Sequence, residues 1–160
     1  MATPVTVREI MVDVFEFPHI PYWFTLRQAA GIVRNTLLQG ERPVHPPVVL
    51  VFDEKYNLVG MANLRDLLQG LEPLWSDAGA AAPGAPPAGK PASEAQIATV
   101  MRPAGAFVEP GAGIPEAARI IVEHGLELLP VLEDGRKLVG VLRWQEVFQE
   151  CVRTTLEGKG

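Results

Sequence analysis

Two heptads in this sequence place residues capable of chemistry at a matching spacing. The first is Gly60-Met61-Ala62-Asn63-Leu64-Arg65-Asp66, and the second is Gly140-Val141-Leu142-Arg143-Trp144-Gln145-Glu146. A glycine lets a backbone come close to a ligand. A carboxylate at the seventh position can accept a pair of charge-assisted hydrogen bonds from hydroxyl groups. In the first heptad the Asn63 amide can also donate. The same residues suit a purely structural role: Asn63 is a favoured helix N-cap, and Asp66 would lie in a first helical turn, where its charge suits the dipole. In the second heptad Arg143 replaces the Asn and Glu146 the Asp. Arginine is a poor N-cap and its charge opposes the dipole. Either Arg143, with Arg102, binds an anionic phosphate, or Arg143 points to solvent or pairs with a neighbouring Glu.

Other reactive side chains form no recognisable set. His19, His45 and His124 are far apart, and none pairs with a Cys at a metal-ligand spacing, so no metal site is expected. Cys151 is the single cysteine, which excludes an internal disulfide and fits a reducing compartment. It reads as a small apolar residue on a C-terminal helix. Tyr22, Trp23 and Phe24 follow Pro18 and Pro21; they could stack on a base, or pack in a loop or dimer contact. Trp75 and Trp144 read as core or interface residues. There is no Ser-His-Asp order, P-loop or paired-carboxylate motif, and no catalytic residue is assigned.

The elements that must position the heptads follow from composition and periodicity. At 160 residues the chain suits one domain or two small subdomains sharing a core. With 48% hydrophobic and 21% charged residues it should fold rather than remain disordered. Fourteen Lys and Arg against nineteen Asp and Glu leave a net charge of -5, which gives no general attraction to nucleic acid or anionic lipid. The N-terminus lacks a secretory signal pattern, and no apolar run is long enough to span a bilayer. These readings predict a cytoplasmic protein with no nucleic-acid or membrane partner.

Residues 76–93 are mostly Ala, Gly and Pro and read as a flexible linker. The parts on either side resemble each other in order. Arg8-Glu9-Ile10-Met11 aligns with Ala98-Thr99-Val100-Met101, Thr25–Ala30 with Gly113–Ala118, and Leu58-Val59-Gly60 with Leu138-Val139-Gly140. The first repeat spans 1–75, with an insertion at 36–46 that is either a partner-binding loop or a plain surface loop. The second repeat spans 94–156, and 157–160 are a tail. Leu26, Ala29, Ala30 and Val33 form one apolar helical face, and Ile114, Ala117, Ala118, Ile121 and Val122 another. Thr25 and Gln28 read as a capping box. Val48–Phe52 is a continuous apolar run suited to a buried strand, and Asp53–Asn57 a turn to a return strand at Leu58–Ala62. Leu129–Leu132 and Leu138–Leu142 flank a turn containing Asp134-Gly135, a hairpin signal. Helices follow near 64–71 and 144–154. One such unit has too small a core to stand alone. The prediction is a mixed α/β (α+β) fold of two helix-strand-strand-helix repeats, packed through their sheets with pseudo-twofold symmetry.

The ordered set Ile10-Met11, Leu26–Ala30 and Leu58–Asp66 resembles a CBS domain. So does Val100-Met101, Ile114–Ala118, Leu129-Pro130-Val131 and Leu138-Val139-Gly140. The resemblance covers both repeats. It implies a Bateman module, a regulatory pair that binds AMP, ADP, ATP or S-adenosylmethionine in clefts between the repeats. It also implies a flat homodimer and a regulated protein acting in trans. The family signature puts ribose hydroxyls on Asp66, with Asn63 replacing the usual hydroxyl residue near the phosphate. Gly60, Met101, Arg102, Gly140, Arg143 and Glu146 would complete the sites. Val48, Val49, Leu129 and Pro130, and the residues just after Met11 and Met101, could wall an adenine slot, and all of them are also expected core residues. Decay of the sites to a ligand-free interaction module is the alternative.

Overall fold

A computed structural model describes residues 4–74 and 91–158. Trp75, most of the expected linker (76–90) and the last two tail residues lie outside the described residues. In chain order the elements are α1 (Val7–Ile10), β1 (His19–Pro21), α2 (Leu26–Ile32), β2 (Val48–Phe52), β3 (Leu58–Asn63) and α3 (Leu64–Leu71). Then come β4 (Arg102–Pro103), α4 (Ile114–His124), β5 (Leu128–Glu133), β6 (Lys137–Arg143) and α5 (Trp144–Glu157). The mixed α/β fold and the helix-strand-strand-helix order of each repeat are as the periodicity predicts.

The chain divides into two compact units that do not follow the sequence halves. One is Phe17–Ala104; the other joins the segment ending at Glu16 to the segment beginning at Gly105. The leading segment of each repeat therefore belongs to the body of the other repeat.

In the Phe17–Ala104 unit, β1 runs parallel to β2, β2 pairs antiparallel with β3, and β3 antiparallel with β4. Every residue of β2 is buried, as its unbroken apolar run requires. Leu26, Ala29, Val33 and Leu37 recur every three or four residues, so they share one face, and all four are buried against Val49 and Val51. The Thr25 hydroxyl accepts from Gln28 N–H at 3.1 Å while Thr25 N–H donates to the Gln28 side chain at 2.9 Å, the expected capping box. Val33–Leu38 continues the helix in wider, i→i+5 turns. The start of the expected insertion is thus helical, because Leu37 extends the apolar stripe. The segment before Met101 closes this unit. Leu26 N–H donates to Ala95 O at 2.8 Å and Ile97 N–H to Phe24 O at 2.7 Å, and Ala92, Ala95 and Ile97 are buried. Ala92 falls inside the run read as linker; its small side chain fits the core, which composition alone does not reveal.

In the other unit β5 and β6 form a hairpin. Asp134 (φ 56°) and Gly135 (φ 66°) occupy its turn, both with the positive φ that a tight hairpin requires. Val108 pairs in parallel with Val131 and Val12 antiparallel with Val141, repeating in miniature the β1 and β4 positions. Val7 N–H donates to Ala112 O and Arg8 N–H to Pro110 O, each at 2.9 Å, which docks the N-terminal segment on this unit. Ile114, Ala117 and Ile121 of α4 are buried beneath it, with Ala118 partly so. Val122 departs from the expected face and is 81% exposed. At 100° per residue it lies about 80° around the helix from Ile114, at the edge of the stripe. Among the described residues no helix is long and apolar enough to cross a membrane.

Candidate functional site

The first heptad spans the end of β3 and the first turn of α3. Asn63 ends the strand with extended backbone and caps the helix. Its side-chain oxygen accepts from Asp66 N–H at 2.9 Å, and its own N–H donates to Asp66 Oδ2 at 2.9 Å. The reciprocal bonds explain why Asp66, at 6% exposure, is the buried charged residue of the described chain. A lone buried carboxylate would be costly; here a cap, a helix N-terminus and a cation offset the loss of water. The cation is Arg102, brought from β4, whose Nε lies 3.5 Å from Asp66 Oδ1. The Arg102 side chain keeps 40% of its surface exposed, so it lies between the buried acid and solvent.

Gly60 and Met101 meet one strand away. A Cβ on Gly60 would lie 2.6 Å from Met101 Sδ and 2.8 Å from Arg102 O. The close approach that Gly60 permits is therefore that of the β4 segment, which sets Arg102 in register beside Met61. Val48 starts β2, opposite Asn63 in the pairing, and is buried. Six of the sequence-predicted residues, Val48, Gly60, Asn63, Asp66, Met101 and Arg102, thus gather in one unit.

The other four gather in the second unit. Pro130 is buried in β5, opposite Val141. Gly140 repeats the Gly60 packing, with Met11 Sδ 2.7 Å from where a Cβ would stand. Arg143 precedes α5 without a side-chain cap and forms an ion pair with Glu146 inside its own turn. Of the two readings of Arg143, pairing with a neighbouring Glu is the arrangement present. Glu146 Oε2 is buried with no hydrogen-bond partner among the described residues. Val12 occupies the place that Arg102 takes in the other unit, since Val12 pairs with Val141 as Arg102 pairs with Met61. The two heptads consequently differ in electrostatics. One presents an acid bridged to a cation from a separate strand; the other closes its acid on the adjacent arginine, beside an apolar valine.

Sequence reasoning named the residues just after Met11 and Met101 only as possible adenine walls, and did not foresee that Val12 takes the place of Arg102. The signal lay in the repeat alignment, which places Val12 opposite Arg102 directly after the matched Met11 and Met101. The missing step was that each leading segment docks on the other repeat.

Residues 97–153 match the family model of the CBS domain. No curated protein matches the chain. Among solved structures, the chain is similar to the CBS-pair protein CBSX2 from Arabidopsis thaliana, with TM-score 0.67, 19% identity, and 96% of this chain and 98% of that one covered. A structure of CBSX2 in complex with AMP aligns with TM-score 0.63 and 20% identity over 94% and 98% of the two chains. The CBS domain of a bacterial CNNM/CorC family Mg2+ transporter in complex with ATP aligns with TM-score 0.65 and 19% identity, over 92% and 87%. At such identities the likeness is one of fold. The match to the CBS domain thus covers residues 97–153, and the fold of the chain is that of CBS-domain pairs.

Proposed function

We propose that this chain is a regulatory module that binds an adenosine-containing ligand, AMP, ADP, ATP or S-adenosylmethionine, and signals to a separate protein rather than catalysing a reaction. The observation that carries this reading is the buried Asp66 carboxylate bridged to the half-exposed Arg102. Each carboxylate oxygen can accept more than one hydrogen bond. A ribose diol would take the capacity left on Asp66, displacing the long 3.5 Å contact. That displacement would turn Arg102 toward a phosphate. Val48 would lie against the base. Two similar solved structures hold AMP and ATP, which supports this ligand class. In the second unit, Pro130, Gly140, Arg143 and Glu146 would form a weaker site, because Glu146 is already paired with Arg143.

Calorimetric titration tests the reading. AMP should bind the wild-type chain, and Arg102→Ala should weaken AMP while leaving adenosine unaffected. No heat with any of the four ligands would contradict it.

A second reading, a ligand-free homodimerisation module, has its own support. The α4–α5 face exposes Val122 (81%), Trp144 (50%) and Phe148 (68%) around a hollow that reaches Ala118 and Cys151. Contiguous apolar surface of this kind suits a second copy related by a twofold axis. Sedimentation should show a dimer that Phe148→Glu splits to monomer. A wild-type monomer would remove this support. The two readings are compatible, and a nucleotide-sensing dimer in the cytoplasm satisfies both.

A further inference from the structure

We propose that a hollow beside the β2–β3 turn, separate from the Asp66 site, binds the guanidinium group of an arginine presented by a partner protein. The hollow is about 230 Å3, below the usual size of a small-molecule pocket and suited to the end of one side chain. Its walls include His19, Trp23, Phe52 and Tyr56, and Asp53 and Glu54 stand at it.

The rings are built into a cluster. His19 stacks on Phe52 at 4.7 Å between centroids, Phe52 on Tyr56 at 4.5 Å and 13°, and the His19 Nδ1 hydrogen-bonds the Tyr56 hydroxyl. Phe52 is buried, yet Tyr56 is 59% and Trp23 46% exposed. Tyr56 holds φ at 61°, an uncommon conformation for a bulky residue, and its N–H donates to Asp53 O at 3.0 Å. The turn thus holds a large aromatic face in water. Asp53 is fixed beside it: its Oδ1 accepts from Lys55 N–H at 2.9 Å and from Asn57 N–H at 2.8 Å. The Asn57 N–H, foremost, holds this carboxyl below the usual carboxylate range, so it is anionic at neutral pH. Lys55, in the same turn, is not among the lining residues.

Aromatic faces with carboxylates at the edge are complementary to a flat, weakly hydrated cation that stacks while donating hydrogen bonds in its plane. Guanidinium does both, whereas a compact ammonium holds its water more tightly. The inference is independent of nucleotide binding.

The test is an NMR titration of the full chain with N-acetyl-arginine amide. Saturable shifts should appear at the Trp23 indole and at the amides of His19 and Asp53–Tyr56. The neutral isostere N-acetyl-citrulline amide and N-acetyl-lysine amide should each bind about tenfold more weakly. Glu54→Gln, at an exposed position, should reduce affinity with the remaining spectrum unchanged, and Trp23→Ala should abolish the shifts. Equal binding of citrulline or lysine, no saturable shift at these residues, or shifts spread evenly over the acidic surface would each overturn the proposal.

Discussion

Arg102 lies 3.5 Å from the buried carboxylate of Asp66, across 36 residues of sequence. The pair exists because the segment leading the second repeat docks as β4 on the sheet of the first. It joins the two repeats' sequences at one point. Glu146, the counterpart of Asp66, finds its cation three residues away at Arg143.

Docking of β4 depends on the absence of a side chain at Gly60. Gly60→Ala places a methyl within 2.8 Å of the Arg102 carbonyl, which cannot rotate aside as the Met101 side chain can. The expected cost is about 1–3 kcal/mol. Adding Met101→Ala should recover only part of it. Urea unfolding of the two single variants and the double variant measures that coupling.

The start of the 36–46 insertion contributes to the core. Leu37 is fully buried and its neighbour Leu38 is 45% exposed. Leu37→Ala should cost about 2–5 kcal/mol, and Leu38→Ala about 0.5 kcal/mol or less. Equal effects in chemical denaturation would contradict the burial of Leu37 in the core.

Asp53 gives the β2–β3 turn an acid dependence. Its folded carboxyl is depressed, chiefly by the Asn57 N–H, with help from the Asn57 side chain and Lys55. A depressed acid adds stability above its unfolded value of about 3.9, and that stability is lost as pH falls through the lower folded value. Wild type should therefore be more stable than Asp53→Asn at pH 7, and the gap should narrow at a second, acidic pH below the unfolded value. Unfolding midpoints of both proteins at the two pH values check the sign.

Much of this arrangement is legible in the sequence. The β2 run, the Thr25–Gln28 capping box, the Asp134-Gly135 turn and the Asn63–Asp66 cap each follow from local chemistry, and each is present. The exchange of leading segments is not legible. An internal repeat shows that Met11 corresponds to Met101, but not which copy of the sheet each packs upon. The same limit hid that Val12 stands where Arg102 does, and that Arg102 meets Asp66. The aromatic cluster was half visible: Tyr22, Trp23 and Phe24 stand together in sequence, while Tyr56 reaches His19 only through the turn. Val122 fits the helical period by identity but lies at the margin of the stripe.

Thermal unfolding with AMP, ADP, ATP and S-adenosylmethionine, on wild type and Asp66→Asn, tests the central claim most directly. Asparagine at position 66 keeps an acceptor for the cap and removes the charge that pairs with Arg102. A ligand at a hundred times its dissociation constant adds about 2.7 kcal/mol to the native state. For a chain of this size that is a midpoint rise on the order of 5–10 °C. The account predicts such a rise for at least one of the four ligands in wild type and its loss in Asp66→Asn. No rise in wild type, or an equal rise in both proteins, would contradict it.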